Sequence, residues 1–171
     1  MHAPPPIQTW PGKADMNAFY GNPDVNNDGA ADLDWQAKNL TMIAAPYMMF
    51  YDGKQVRNIT VHRNCADSLL WCLTAIGEEF SPADRAKYQL DQFGGVYNFR
   101  RKRGGKGLSI HSWAAAIDLA PALNAFGWTY GSRPNMMPKA VVDIFSARKW
   151  VWGGLWSKAD AMHFQAAASN A

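Results

Sequence analysis

The sequence predicts an α+β domain, a small and largely antiparallel sheet with helices packed on one side. Helical and strand-like patterns follow one another without a regular βαβ rhythm. The 171 residues are enough for one domain with a sizeable core. A hydrophobic content of 48% with eight tryptophans marks a globular chain, not a disordered one. The net charge of only +3 makes no global demand for nucleic acid, and none is expected as a partner. No run approaches the roughly 20 apolar residues that span a bilayer, so no stable membrane insertion is expected.

Residues 1–45 are rich in Pro, Gly, Asn and Asp and predict an irregular N-terminal wrap of the same domain with one short helix. Residues 46–171 carry its body. Tyr47–Tyr51 and Val56–His62 read as strands around Asp52-Gly53, a hairpin-turn signal. Cys65, Leu69, Cys72, Leu73, Ile76 and Phe80 fall on one face of a helix that Asn64 could cap. Two helical turns put Cys65 and Cys72 about 10 Å apart, too far for a disulfide, so buried free thiols are expected. Ser81-Pro82 opens a second helix or turn ending by Gly94-Gly95, and Val96 to Phe99 is a strand candidate. A basic, glycine-rich loop follows from Arg100 to Gly107, most naturally solvated. Ile117 to Ala120 predicts a buried strand, Pro138 starts a helix, Trp150 to Trp156 reads as a loop, and the last strand runs from Met162 to Phe164.

Two segments carry chemistry. Ser109-Ile110-His111 leads through Ser112 to Ala116 into Ile117-Asp118, and Asp160-Ala161-Met162-His163 lies near the C-terminus. Two histidines and a carboxylate are a ligand set that catalytic zinc accepts, with the fourth position left to water. A carboxylate at Asp160 could serve as base beside it. His111 and Asp118 cannot share one ion on a straight helix, where they lie about 10.5 Å apart, or on a straight strand, about 23 Å apart. The chain between them must bend.

The residues flanking these positions resemble one family. Leu108 to Asp118 is similar to the S-x-H-x-x-G-x-A-x-D signature of zinc D,D-carboxypeptidases and L-alanyl-D-glutamate endopeptidases. Trp152-Gly153-Gly154-Leu155-Trp156 with Asp160-Ala161-Met162-His163-Phe164 resembles the W-G-G-x-W…D-x-M-H-F block, and Tyr97-Asn98-Phe99-Arg100 the strand that ends in arginine. The resemblance covers residues 95–166. It implies a fold of the Hedgehog/D-Ala-D-Ala peptidase type with zinc in a surface cleft of a catalytic domain spanning 46–171. It also implies Zn2+ held by His111, Asp118 and His163, Asp160 as the general base, and Arg100 on a substrate carboxylate or the developing oxyanion. Ser109, Trp152 and Trp156 are expected to line the substrate groove. The implied substrate is the peptidoglycan stem peptide, with an L-alanyl-D-glutamate endopeptidase favoured. No signal peptide is legible at the N-terminus, so the expectation is a monomeric phage endolysin made in the cytoplasm and acting on the wall after release.

Three departures stand out: Ala114 where the family pattern has glycine, Gln165 where glutamate is common, and Arg148-Lys149 where a glycine usually ends the helix. Other readings stay open at this level. They are a dipeptidase or carboxypeptidase of the same family, a wall-binding module with structural zinc, and a calcium-stabilised domain built on Asp24 to Asp32. That last segment has alternating oxygen ligands and a glycine at the sixth position but lacks the closing glutamate. His62 is too far from either motif to count as a ligand.

Overall fold

The computed structural model describes residues 4–102 and 107–168, so Arg103 to Lys106 of the basic loop lie outside the described residues. The α+β expectation holds. Two short helices, α1 (Met16–Tyr20) and α2 (Leu33–Asn39), precede a hairpin of β1 (Leu40–Tyr51) and β2 (Lys54–His62). Then come α3 (Ala66–Glu79), α4 (Pro82–Lys87), β3 (Phe93–Gly95), β4 (Ala116–Leu119), α5 (Lys139–Ala147), β5 (Val151–Gly153) and β6 (Asp160–Gln165). The hairpin is one antiparallel sheet, and the other is four-stranded in the order β3-β4-β6-β5, also antiparallel throughout.

The Asp52-Gly53 turn forms as expected, both residues at positive φ (48° and 72°) between the paired Tyr51 and Lys54. Strand β1 begins earlier than its sequence suggests. Leu40 to Ala44 already pairs with His62 to Asn58, inside the stretch read as irregular. Pro46, which cannot donate to a ladder, sits in the register shift between Ala44 and Met49, and it hides the first half of the strand from sequence patterning.

Helix α3 buries the predicted face: Leu69, Cys72, Leu73 and Ile76 are fully inaccessible. Its cap differs from expectation. Cys65 holds the N-cap position, and Asn64 instead donates its side-chain amide to the Phe19 carbonyl (3.1 Å), tying the helix start to α1. Cys65 and Cys72 are buried free thiols, and burial pushes the Cys65 thiol up to about 12, so it carries little thiolate at neutral pH. Helix α4 starts as read, with the Ser81 hydroxyl accepting from the Asp84 amide (3.1 Å) and Pro82 in its first turn.

Two corrections fall in the four-stranded sheet and a third at the end of helix α5. The third strand is Phe93–Gly95 and not Val96 to Phe99, because Gly94 lies against β4: a Cβ there would come within 2.7 Å of the Asp118 Cβ. The Trp-Gly-Gly segment is not loop alone, since Val151 to Gly153 forms β5 on the edge of β6. Helix α5 does end in a left-handed residue. Lys149 (φ 60°) donates to the Ser146 carbonyl (2.8 Å) and Trp150 to that of Phe145 (3.1 Å), while the two aromatic rings meet 5.5 Å apart. That is a Schellman ending with lysine where glycine is easiest.

The N-terminal segment is stitched to the same core by aromatic donors. The Trp10 indole donates to the Arg148 carbonyl (3.0 Å), and the Tyr20 hydroxyl donates to that of Ala166 (2.6 Å). The Trp35 indole donates to the Tyr20 carbonyl (2.9 Å). No helix among the described residues is long and apolar enough to cross a membrane.

Candidate metal centre

The bend demanded between His111 and Asp118 exists and has a local cause. Ile110–Trp113 forms one 3-10 turn, and Ala114 follows in the left-handed conformation (φ 53°, ψ 34°). Alanine in this region costs about 1–2 kcal/mol relative to a right-handed residue. Burial and hydrogen bonds hold it there: Ala114 is fully inaccessible, and its carbonyl accepts from the His62 amide (3.0 Å). The reversal turns the chain directly into β4, where Asp118 pairs in register with His163 of β6. Directly paired residues of antiparallel strands share a face, so both side chains meet His111.

Three ligand atoms converge. Asp118 Oδ1 lies 3.2 Å from His111 Nε2 and 3.0 Å from His163 Nδ1, and the two nitrogens are 3.2 Å apart. Ligands on a tetrahedral zinc with bonds of 2.0–2.1 Å are separated by about 3.3 Å. The triangle is therefore within a few tenths of an ångström of that requirement, and the donor set fits zinc.

The far side of each ring supports the same reading. His111 Nδ1 is 2.8 Å from the Val96 carbonyl, and His163 Nε2 is 3.1 Å from Gln165 Oε1. Each of those ring nitrogens must carry the proton it donates, leaving the converging nitrogens as lone pairs when the rings are neutral. Two lone pairs and a carboxylate oxygen facing one another call for a cation among them. Burial alone would raise the Asp118 carboxyl, but when the imidazoles are protonated their hydrogen bonds and charges outweigh it and hold the group well below the usual carboxylate range. Burial would lower His163, and the bond to Asp118 with the charges of Asp118 and Asp160 overrides it and raises the imidazole.

A cavity of about 270 Å³ opens onto the triad, lined among others by Arg100, Ser109, Asp118, Trp156, Asp160 and His163. Asp160 is the first residue of β6, not part of the turn before it, and Gly153 of β5 makes room for it. A Cβ at Gly153 would stand 2.7 Å from the Asp160 carbonyl oxygen. Trp156 walls the cavity with its ring 5.6 Å from that of His163. Trp152 does not line it. Its indole donates to the Ala161 carbonyl (2.9 Å) and its ring packs against Phe164 and Tyr130.

The structure adds residues that sequence reasoning passed over. Ser112 clamps the Arg100 backbone from both sides, its oxygen accepting from the Arg100 amide (3.0 Å) and its hydroxyl donating to the Arg100 carbonyl (2.8 Å). The Ser109 amide donates to the same carbonyl (2.9 Å). Lys102, read in the sequence as part of a solvated basic loop, and Lys158 join Arg100 around the cavity, with the Lys158 ammonium 4.8 Å above the Phe126 ring. Burial, with Lys13 as a smaller cause, lowers Lys102. Only the local density of Arg and Lys could have signalled these.

His62, excluded as a ligand on sequence, and the Asp24 to Asp32 segment lie elsewhere. His62 is a buried pin: Nε2 donates to the Tyr20 carbonyl (3.0 Å) and Nδ1 accepts from the Asn64 amide (3.1 Å). In the Asp24 to Asp32 segment the carboxylates cap backbone: Asp28 accepts from the Ala30 amide (2.9 Å) and Asp32 from that of Trp35 (3.0 Å).

Residues 103–166 match the family model described as D-alanyl-D-alanine carboxypeptidase. The match covers fewer than half of the 171 residues, yet it holds His111, Asp118, Asp160 and His163 and leaves Arg100 just outside. No curated protein and no solved structure matches the chain. The segment that holds the candidate metal triad and most of the cavity lining is thus similar to a D-alanyl-D-alanine carboxypeptidase, and this supports a peptidase acting on peptidoglycan.

Proposed function

We propose that this chain is a zinc-dependent peptidase that hydrolyses an amide bond in the peptidoglycan stem peptide. The observation that carries the reading is the convergence of His111, Asp118 and His163 on one point, with Asp118 and His163 in the wall of a cavity that Asp160 and three cations also line. Zinc held by the triad would polarise the scissile carbonyl and acidify water.

The chain supplies the rest. Asp160 accepts the proton of the attacking water as oxygen adds to the carbonyl carbon, and delivers it to the leaving nitrogen as the C–N bond breaks. Arg100, held by its clamped backbone, offers a planar fork to a substrate carboxylate. Trp156 gives the cavity an apolar wall, which keeps the charges facing the substrate in a poorly solvated space.

The finer reading is an L-alanyl-D-glutamate endopeptidase serving as a phage endolysin in host lysis. What supports the bond assignment is the number of cations: Arg100, Lys102 and Lys158 suit a substrate with more than one carboxylate near the cut. A D-glutamyl residue followed by further acidic stem residues offers this, whereas a D-alanyl terminus offers one. Cleavage of D-alanyl-D-alanine is the second reading, favoured by the description of the matching family.

Mass spectrometry of purified muropeptides after digestion separates the two. New L-alanine C-termini with free D-glutamyl amines are expected, and released D-alanine would mean the carboxypeptidase. Asp160→Ala is expected to retain zinc and lose roughly 10²–10⁴-fold in rate. Undiminished turnover by that variant would remove Asp160 from the mechanism.

A further inference from the structure

Gln165 has no place in the chemistry above, yet it is buried (2% exposed) and touches a metal ligand. Its side-chain amide has two ends with opposite demands. The nitrogen faces the carbonyls of Ala168 (3.1 Å) and Ala167 (3.4 Å), which can only accept. The oxygen must therefore face His163, and an amide oxygen also only accepts. His163 Nε2 is thereby required to carry a proton, so Nδ1 is left as the ligating atom.

We propose that Gln165 is a positioning residue for the metal centre, fixing the tautomer and ring orientation of His163 through its amide oxygen. This rests on the metal-centre reading above. The orientation is anchored at a distance. The Ala166 amide donates to the Ala115 carbonyl (2.8 Å), and the Ala168 amide donates to that of Pro11 (2.9 Å). The tail whose carbonyls hold Gln165 is thus held in turn by the bend after His111 and by the N-terminal segment. His111 has the equivalent support from the Val96 backbone, which no substitution removes. Gln165 is the half of the arrangement that mutation can reach. Being neutral, it supports His163 without adding a second negative charge to that of Asp118.

The test is zinc affinity, read by competition with a chromophoric chelator, together with thermal melting of each metal-free protein. Gln165→Leu is expected to weaken zinc binding by about 10–100-fold. Gln165→Glu, which keeps an acceptor, is expected to hold zinc at least as tightly as the wild type. Wild-type affinity in Gln165→Leu would overturn the proposal, as would equal losses in both variants with unchanged metal-free melting. If Gln165→Leu does not fold, long-range ¹H–¹⁵N correlation on the zinc-loaded wild type decides. Nε2–H on His163 is expected, and Nδ1–H overturns the assignment. A wild type that takes up no zinc would instead defeat the metal-centre reading, and this inference with it.

Discussion

The hairpin and the four-stranded sheet each carry a buried histidine, and the two residues differ in what their second nitrogen meets. His62 closes β2 with both ring nitrogens bonded to backbone, between the rings of Tyr20 and Trp35. His163, in β6, has one nitrogen on Gln165 and the other facing Asp118 and His111. Burial lowers His62, whereas carboxylates override burial and raise His163. Burial of a histidine therefore says little about its role. A ring satisfied by backbone on both sides fixes the fold, and a ring with one lone pair aimed at a carboxylate and a second imidazole is available for a cation.

The strands show the same division. The hairpin has long strands with exposed Met42, Met48 and Tyr51, and it contributes none of the three converging ligands. The site sheet is made of strands of three to six residues, interrupted by a strained Ala114 and by glycines that permit close approach. Local irregularity there is what brings His111 to Asp118 and His163, beside the cavity that Asp160 lines.

Exchanging His62 should separate the two roles most sharply. His62→Ala is expected to cost about 2–4 kcal/mol in chemical denaturation, from lost packing and an Asn64 amide left without its acceptor. Its zinc affinity should stay at the wild-type value. A large loss of zinc affinity in a folded His62→Ala protein would show that the two regions are not independent.

A smaller effect concerns pH. The folded-state value of His62 lies below its unfolded value near 6.5, so below that pH the unfolded chain binds more protons. The stability that neutral His62 contributes is full above about pH 6.5 and is lost as pH falls. The metal-free wild type should therefore lose more stability on acidification than metal-free His62→Gln. Parallel stability curves would place the acid sensitivity elsewhere.

The smallest effect lies at the end of α5, away from both histidines. Lys149→Gly relieves an exposed left-handed lysine and should raise stability by about 1 kcal/mol with no change in zinc affinity. A melting temperature at or below that of the wild type would mean that lysine is not strained there.

Much of this was legible in the sequence, for physical reasons that also set the limit. The α3 face, the Asp52-Gly53 turn and the Ser81-Pro82 start are written in short-range periodicity and in the φ preferences of single residues. The ligand candidates were visible because few residue types bind zinc, and their flanking motifs gave them an order. What escaped depends on partners distant in the chain. Strand β3 is placed by the fit of Gly94 against Asp118, and β5 by pairing with β6. The first half of β1 is masked by Pro46. The Ser112 clamp on Arg100 and the direction of the Gln165 amide are set by backbone groups that no local pattern reveals. Trp152 looked like a groove residue by its motif and turned out to support β6 from behind.

The central claim is that His111, Asp118 and His163 form one zinc site. Elemental analysis of the purified protein, after equilibration with zinc and removal of excess, tests it most directly when Asp118→Ala is measured beside the wild type. The account predicts one zinc per wild-type chain and almost none in a folded Asp118→Ala variant. Zinc-free wild type, or equal zinc in both proteins, would contradict it.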